Sequence, residues 1–265
     1  MRTVTIVTAL GMAVGTLGLG TAEAGAQSGQ DFRWTGRLAS GQTLEIRGVS
    51  GSIRAEAASG AEAEVIAVKR ARRSNPDDVR IEVVPHDGGV TICAIYPESR
   101  GDRPNECRPG GGRNSSRDND VNVEFTVRVP AGVRLGVHTV NGDVDVKDVR
   151  GDVRATTVNG SVDVRAAGLV EANTVNGSIR AAMGRADWSG TMKFHTVNGG
   201  ITLDVPASLS AEIEASTVNG AIETDFPITV QGRFSAKRMR GTIGTGGREL
   251  ELETVNGSIR LRKAG

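Results

Sequence analysis

The chain has 265 residues, enough for one or two domains with a sizeable buried core. Lysine and arginine number 32 against 31 aspartate and glutamate residues, so the formal net charge is +1 and gives no global electrostatic reason to expect nucleic-acid binding. Glycine is abundant at 36 residues, whereas aromatic residues make up only 3%. This composition is typical of short β-strands joined by turns around an aliphatic core, and it disfavours a helical bundle.

Residues 1–26 have the pattern of a secretory signal peptide. Arg2 gives a short positive start, a mostly apolar stretch follows, and Ala24-Gly25-Ala26 forms a small-x-small cleavage site before Gln27. No later stretch approaches the roughly 20 apolar residues of a membrane-spanning helix. We therefore expect export to the periplasm, the cell surface or the medium, with no transmembrane segment in the mature chain.

The chain contains two cysteines, Cys93 and Cys107. In an oxidising compartment an even pair flanking a polar, turn-rich segment is most simply one disulfide bond. A zinc site is the rival interpretation, but two cysteines without nearby histidines leave it two ligands short. We predict a disulfide bond, and we predict neither a metal nor a cofactor.

Residues 27–130 are predicted to form an N-terminal β region. Segments such as Thr43–Arg47 and 121–127 alternate apolar and polar residues with period two, and Asp87-Gly88-Gly89 is a hairpin signal. Residues 97–120 are hydrophilic and rich in glycine and serine, which predicts a mobile polar loop.

A repeat dominates the second predicted region, residues 131–265. The tetrapeptide Thr-Val-Asn-Gly occurs at 139–142, 157–160, 174–177, 196–199, 217–220 and 254–257. Repeats of about 20 residues are typical of stacked coils that bury their inner faces against one another. The longest interval suggests a decayed copy at 238–243, and 49–53 resembles a faint earlier copy.

The residue two places after each repeat glycine is always β-branched. These residues are Val144, Val162, Ile179, Ile201, Ile222 and Ile259. Small or polar residues flank them, which is the alternation of strands with one face buried. The pattern predicts an all-β protein whose N-terminal strands lead into a parallel, β-helix-like β-solenoid. The alternative is an antiparallel meander of hairpins, because Asn-Gly also favours a type I′ turn.

The repeated asparagine predicts a ladder of side-chain amides at one corner of the stack, shielded from water. Its members are Asn141, Asn159, Asn176, Asn198, Asn219 and Asn256. The following glycine is expected to allow a positive φ at the corner.

The exported start, the β-rich first half and the iterated Thr-Val-Asn-Gly-[Ser/Asp]-[Val/Ile] pattern resemble the bacterial putative-adhesin family of unknown function, DUF4097. The likeness is strongest over residues 139–260. It implies a β-helical envelope or surface protein and supplies no established catalytic residues.

Three groups of polar residues are candidates for chemistry, and we interpret each as solvated surface. His138 and His195 share a column of the stack but lie three coils apart, too far to bind one metal. The basic cluster 69–73 specifies no ligand. The closely spaced carboxylates of the repeat region are a weak candidate for calcium binding or catalysis; they are Asp143, Asp145, Asp148, Asp152 and Asp163.

These observations predict a non-catalytic, exported envelope or cell-surface protein that presents a stacked β surface to a glycan or protein ligand. The first alternative is a carbohydrate-active enzyme on a β-helix, which the scarcity of aromatic residues disfavours. The second is a structural, polymerising coil protein.

Overall fold

The computed structural model describes residues 31–97, 104–116, 118–230, 235 and 237–264. The predicted signal peptide, residues 1–26, lies outside the described residues. Within the described part, the chain forms β-strands and one short 3-10 turn, Pro76–Asp78.

The strands are short, and most alternate buried and exposed side chains. In chain order they are β1 (Phe32–Arg37), β2 (Thr43–Arg47), β3 (Ile53–Ala57), β4 (Glu62–Arg70), β5 (Arg80–His86), β6 (Gly89–Ile95), β7 (Asn122–Val129), β8 (Arg134–His138), β9 (Val144–Val149), β10 (Val153–Thr156), β11 (Val162–Ala166), β12 (Val170–Asn173), β13 (Ile179–Met183), β14 (Thr191–His195), β15 (Ile201–Val205), β16 (Ala211–Ser216), β17 (Ile222–Thr224), β18 (Thr229–Val230), β19 (Arg238–Ile243), β20 (Glu249–Glu253) and β21 (Ile259–Lys263).

Two long sheets face each other across one apolar core. The first sheet has the strand order β1-β4-β7-β3-β9-β11-β13-β15-β21-β17, and the second has the order β18-β19-β16-β20-β14-β12-β10-β8-β2-β6-β5. Each repeat contributes one strand to the second sheet, turns the corner through Thr-Val-Asn-Gly, and contributes the next strand to the first sheet.

Strands of successive repeats pair in parallel. Val162 of β11 lies between Val144 and Ile179, and Ile179 lies opposite Ile201. A hairpin meander would make these pairs antiparallel, so the predicted β-solenoid is confirmed and the meander is not. The β-branched column faces inward, and Ile179 and Ile201 are completely buried.

The N-terminal strands continue both sheets. β2 and β3 form a coil that pairs in parallel with β8 and β9 on one side and with β6 and β7 on the other. Its corner at Ser50 bridges Asn141, as expected for a faint repeat copy. The antiparallel strands β1, β4 and β5 complete this end. Both sheets therefore run without a break across the boundary predicted at residues 130 and 131.

At the C-terminal end of the stack, the order of the coils in space differs from their order in the sequence. The last coil, β20 and β21, lies between the coil of β14 and β15 and the coil of β16 and β17. The segment predicted as a decayed repeat, 238–243, is instead β19, which pairs antiparallel with β16. That prediction was wrong because sequence spacing does not report which strand edge remains open for pairing.

Candidate functional site

The threonine of each repeat holds neighbouring coils together. All six repeat threonines are buried, and each hydroxyl donates to the backbone carbonyl of the corner glycine in the adjacent coil at 2.7–3.1 Å. Thr174, for example, bonds to Gly160 at 2.9 Å. A buried hydroxyl needs such a partner, which explains why a polar residue recurs beside the apolar column. The presence of threonine in all six repeats was the signal available in the sequence, although the pattern alone predicted no role for it.

The repeat asparagines form a side-chain ladder along the corner. Their spatial order is Asn141, Asn159, Asn176, Asn198, Asn256, Asn219, and Nδ2 of each asparagine after the first donates to Oδ1 of the one before it at 2.7–2.8 Å. The side chains are exposed, so the expected shielding from water is wrong. The corner turns their amides outward because the buried threonine two residues earlier occupies the inward position.

The corner glycines are required by close packing rather than by a positive φ. A Cβ at Gly160 would lie well under 3.0 Å from the carbonyl oxygen of Gly142, and Gly142, Gly177 and Gly199 show the same clash with the corner below. None of these four has a positive φ. The expectation of a positive φ is therefore wrong. Glycine is needed at the corner because a side chain would collide with the backbone of the adjacent coil.

A disulfide bond joins Cys93 of β6 to Cys107. It fastens the segment 104–116, which we call the strap, over the second sheet. Asn105 donates to the carbonyls of Tyr96 and Ser115, both at 2.9 Å, and Asn114 donates to that of Ala94. The described part of the predicted polar loop is thus held in place, contrary to the expectation of a mobile loop.

Glu45 lies beneath the strap. Burial raises the pKa of its carboxyl, but hydrogen bonds from the Gly110 N–H, Arg47 and Thr91 outweigh burial and leave the pKa below its usual range. The Gly110 and Thr91 bonds measure 2.8 and 2.9 Å. Glu45 is therefore a charged carboxylate, and it holds the tip of the strap in place.

Beside the strap, an open groove of about 610 Å³ crosses the second sheet over β2, β8, β10, β12 and β14. Pro109 and Gly110 of the strap line one end, and Trp188 and Ser189 line the other. Leu169 and Met192 add apolar surface between them. A concavity lined by apolar side chains together with a few polar groups is typical of a ligand site.

Gly136 leaves the space for the groove. It occupies an outward position of β8, between Glu45 on β2 and Arg154 on β10. A Cβ there would make only ordinary contact, 3.5 Å from Cγ of Glu45. The fold therefore does not require glycine at this position, and the missing side chain opens the floor of the groove. No motif in the sequence singles out this residue.

Most charged side chains on the outer face of the second sheet lie in ion pairs. Arg154 meets Glu171 at 3.1 Å and Lys193 meets Glu251 at 2.6 Å, while Arg238 and Arg240 both meet Glu214, at 2.9 and 2.5 Å. These exposed cross-strand pairs are worth little energy each, but they set the charge pattern of the surface.

The carboxylates singled out in the repeat region do not converge. Asp143 accepts from the Ser161 N–H at 2.8 Å, Asp145 pairs with Lys147 at 2.9 Å, and Asp152 accepts from the Leu169 N–H at 2.9 Å. Asp163 is the lateral neighbour of Asp145 in the sheet. Asp148, with φ +52°, is part of a bulge in β9.

The two histidines and the basic cluster are the other two candidate groups. His138 and His195 occupy one column, separated by Thr156 and Asn173 as the repeat register predicts. In the basic cluster, the Asp120 carboxylate accepts from the backbone N–H groups of Arg72, Arg73 and Ser74. These bonds lower the pKa of Asp120 to about 2.

Within the described ranges, no three His, Cys, Asp or Glu side chains are grouped to hold a metal ion. The same part of the chain contains no helix long and apolar enough to cross a membrane.

Comparison with solved structures finds likenesses of low identity. A "putative cell adhesion protein" from Clostridium sporogenes is 12% identical with a TM-score of 0.40, over 89% of this chain and all of that one. A "putative adhesin" from Bacteroides fragilis is 12% identical with a TM-score of 0.29, covering 89% and 98%. A "putative lipid binding protein" from Parabacteroides distasonis is 12% identical with a TM-score of 0.24, over the same shares.

No curated protein matches the chain. The model of the Toastrack DUF4097 family matches residues 115–262, more than half of the chain. That range spans all six Thr-Val-Asn-Gly corners and the strands stacked on them. The chain therefore belongs to the Toastrack DUF4097 family.

Proposed function

We propose that this protein is an exported, non-catalytic envelope or surface protein that binds a glycan or protein ligand through the groove of its second sheet. The observation that carries the proposal is the groove itself: an open concavity floored at Gly136 and lined by both apolar and charged side chains. The disulfide bond supports the exported location, because such bonds persist in oxidising compartments.

The candidate polar groups favour binding over catalysis. A glycosidase needs two carboxyl groups about 5–10 Å apart on either side of one bond. Asp143, Asp145 and Asp152 instead each make a local contact within or beside their own strand. A glycan-hydrolysis screen tests the enzyme alternative, and detected turnover would replace the proposal. Sedimentation of the purified chain tests the polymerising alternative.

A glycan array and an array of envelope proteins, probed with the chain from Gln27 onward, test groove binding. Gly136→Tyr fills the groove floor at a position where the fold has room, and it should lower binding at least tenfold. Gly136→Ala is the matched control and should retain most of the binding. A ligand that binds both variants and the native chain equally would place its site elsewhere on the molecule.

Export is tested separately in the native host. N-terminal sequencing should give a start near Gln27, and thiol titration of the denatured mature protein should find no free cysteine. An intact Met1 together with two titratable thiols would refute an exported protein.

A further inference from the structure

The C-terminal end of the stack finishes on an incomplete coil. Among the described strands, β17 is the last of the first sheet and pairs only with β21. In the second sheet, β19 and β18 continue beyond β16. The open surface therefore consists of β17 and the corner before it, Val218-Asn219-Gly220, and we call it the open end.

The open end keeps the hydrogen-bond acceptors that interior coils use to hold their neighbours. Corner glycine carbonyls inside the stack accept a threonine hydroxyl, and each asparagine Oδ1 there accepts a neighbouring amide. At Gly220 and Asn219 the described part of the chain supplies no such donor. Val218 is 55% exposed, more than any other large hydrophobic residue described.

Among the described residues, the backbone N–H and C=O groups of β17 are hydrogen-bonded on one side of the strand only. The Asn219 N–H, the Ala221 carbonyl and the Asp225 N–H bond to the last coil at 2.8–3.0 Å. Because alternate residues of a strand bond to opposite neighbours, the groups of Ile222 and Thr224 point to the open side. Unpaired edges of this kind accept an added strand.

Charge and shape define what the added strand must carry. Glu223 points outward and pairs with Arg260 of β21 at 3.0 Å, so a basic residue on the other side would complete the column. Ile222 belongs to the β-branched column and pairs with Ile259, so a β-branched residue on the added strand would extend that column. At the opposite end of the stack the two sheets finish on β1 and β5, which belong to antiparallel pairs and carry no Thr-Val-Asn-Gly corner, so that end of a second copy would not supply the threonine and asparagine donors.

We propose that the open end binds a β-strand of another protein, added in parallel, with the pattern Thr-x-Asn-Gly-x-Ile-Arg. The threonine would donate to the Gly220 carbonyl, the asparagine to Asn219 Oδ1, and the arginine would meet Glu223. The chain's own segment Thr254–Arg260 has this pattern and makes the same three kinds of contact inside the stack.

Fluorescence anisotropy with a labelled synthetic peptide, TVNGSIRLRK, tests the proposal on the chain from Gln27 onward. We expect saturable binding that weakens about fivefold in Asn219→Ala, as loss of one hydrogen bond worth roughly 1 kcal/mol predicts. Asn198→Ala is the matched control inside the ladder and should leave the affinity unchanged. An equal effect of both variants would mean that the peptide displaces the chain's own last strand, and would overturn the proposal.

Charge reversal gives a readout independent of the ladder. Glu223→Arg should weaken the peptide about two- to fivefold, and a peptide with glutamate in place of its first arginine should recover the loss. Absence of peptide binding, or self-association of the chain through β17, would also overturn the proposal. Gly136→Tyr should not alter peptide affinity, so this test and the groove test can fail separately.

Discussion

The buried hydroxyl at each corner, rather than the exposed amide, is the internal contact between coils. Thr174 is 2% exposed, whereas Asn176 lies on the surface. An unpaired buried group costs about 1–3 kcal/mol, while an exposed amide exchanges its partner for water. The buried threonine column therefore contributes more to stability than the exposed asparagine column, although both residues are the same in every repeat.

Asn176→Asp tests the weight of the exposed ladder. The aspartate keeps an acceptor for Asn198 but cannot donate to Asn159 Oδ1, 2.7 Å away in the native chain. We expect a loss of about 1 kcal/mol at neutral pH that partly recovers below about pH 4, when the protonated carboxyl can donate again. Urea melts at both pH values measure it, and a pH-independent loss would contradict the ladder.

The corner glycines permit a sharper test. In Gly160→Ala the new methyl group would collide with the Gly142 carbonyl, which belongs to backbone and cannot move aside cheaply. We expect destabilisation of about 3 kcal/mol or more in denaturant melts. Gly60→Ala is the control, because nothing lies within 4 Å of its added Cβ, and it should change stability by less than about 0.5 kcal/mol. Similar results for the two variants would contradict the close approach.

Tyr96 links the stability of the fold to alkaline pH. It is 1% exposed, and its hydroxyl donates to the Val121 carbonyl at 2.8 Å. Burial raises the pKa of Tyr96 to about 12. The folded pKa exceeds the unfolded value near 10, so the neutral phenol favours folding below pH 10. About 2–3 kcal/mol is then lost as pH rises from about 10 to 12.

Because the chain contains one tyrosine, tyrosinate absorbance reports this group alone. Tyr96→Phe should cost about 1 kcal/mol at neutral pH and should remove the part of the alkaline loss that Tyr96 causes. Ionisation of the native protein near pH 10 would contradict the buried position.

At the scale of the strand, inward and outward columns differ in what they contribute. Ile201 of β15 is fully buried between Ile179 and Ile259, while its neighbour Thr202 lies on the outer face. Ile201→Ala should cost about 2–5 kcal/mol through lost burial and a cavity. Thr202→Ala should stay within about 0.5 kcal/mol. Equal losses in urea melts would show that the register of β15 is wrong.

The strap is an element held from several sides. The disulfide bond, Asn105, Asn114 and the Glu45 carboxylate each fix a different part of it. Closing a loop of this length contributes on the order of 3 kcal/mol by restricting the unfolded chain. The strap thereby also fixes one end of the groove, since Pro109 and Gly110 line it.

At the scale of the molecule, both ends of the stack are built from segments distant in sequence. The coil of β20 and β21 pairs with the coil of β14 and β15 on one side and with the coil of β16 and β17 on the other. Removing it therefore leaves those two coils without the strands that join them. In a chain ending at Arg248, the backbone amides of β16 and β17 should lose their protection from exchange, whereas those of β10 to β13 should keep it. Hydrogen exchange followed by mass spectrometry measures this. A chain ending at Lys263 is the control and should behave like the native protein. Unchanged protection of β16 after truncation at Arg248 would contradict the intercalated order.

The sequence by itself determined the repeat unit and its inward column, and it favoured a parallel solenoid while leaving the antiparallel meander open. Period-two alternation and a tetrapeptide recurring about every 20 residues are local properties of the chain, and residues such as Ile179 carry them. The disulfide bond followed from an even cysteine count in an expected oxidising compartment, and the register of the histidine column followed from the repeat spacing.

Tertiary structure decided which coils are neighbours and where a concave surface forms. Nothing near Glu249 or Ile259 in the sequence shows that their coil inserts between two earlier ones, because pairing depends on which strand edge the rest of the chain leaves open. Gly136 resembles any other glycine until Glu45 and Arg154, distant in sequence, flank it on adjacent strands. Long-range contacts of this kind leave no local periodicity, so only the folded stack reveals the groove and the open end.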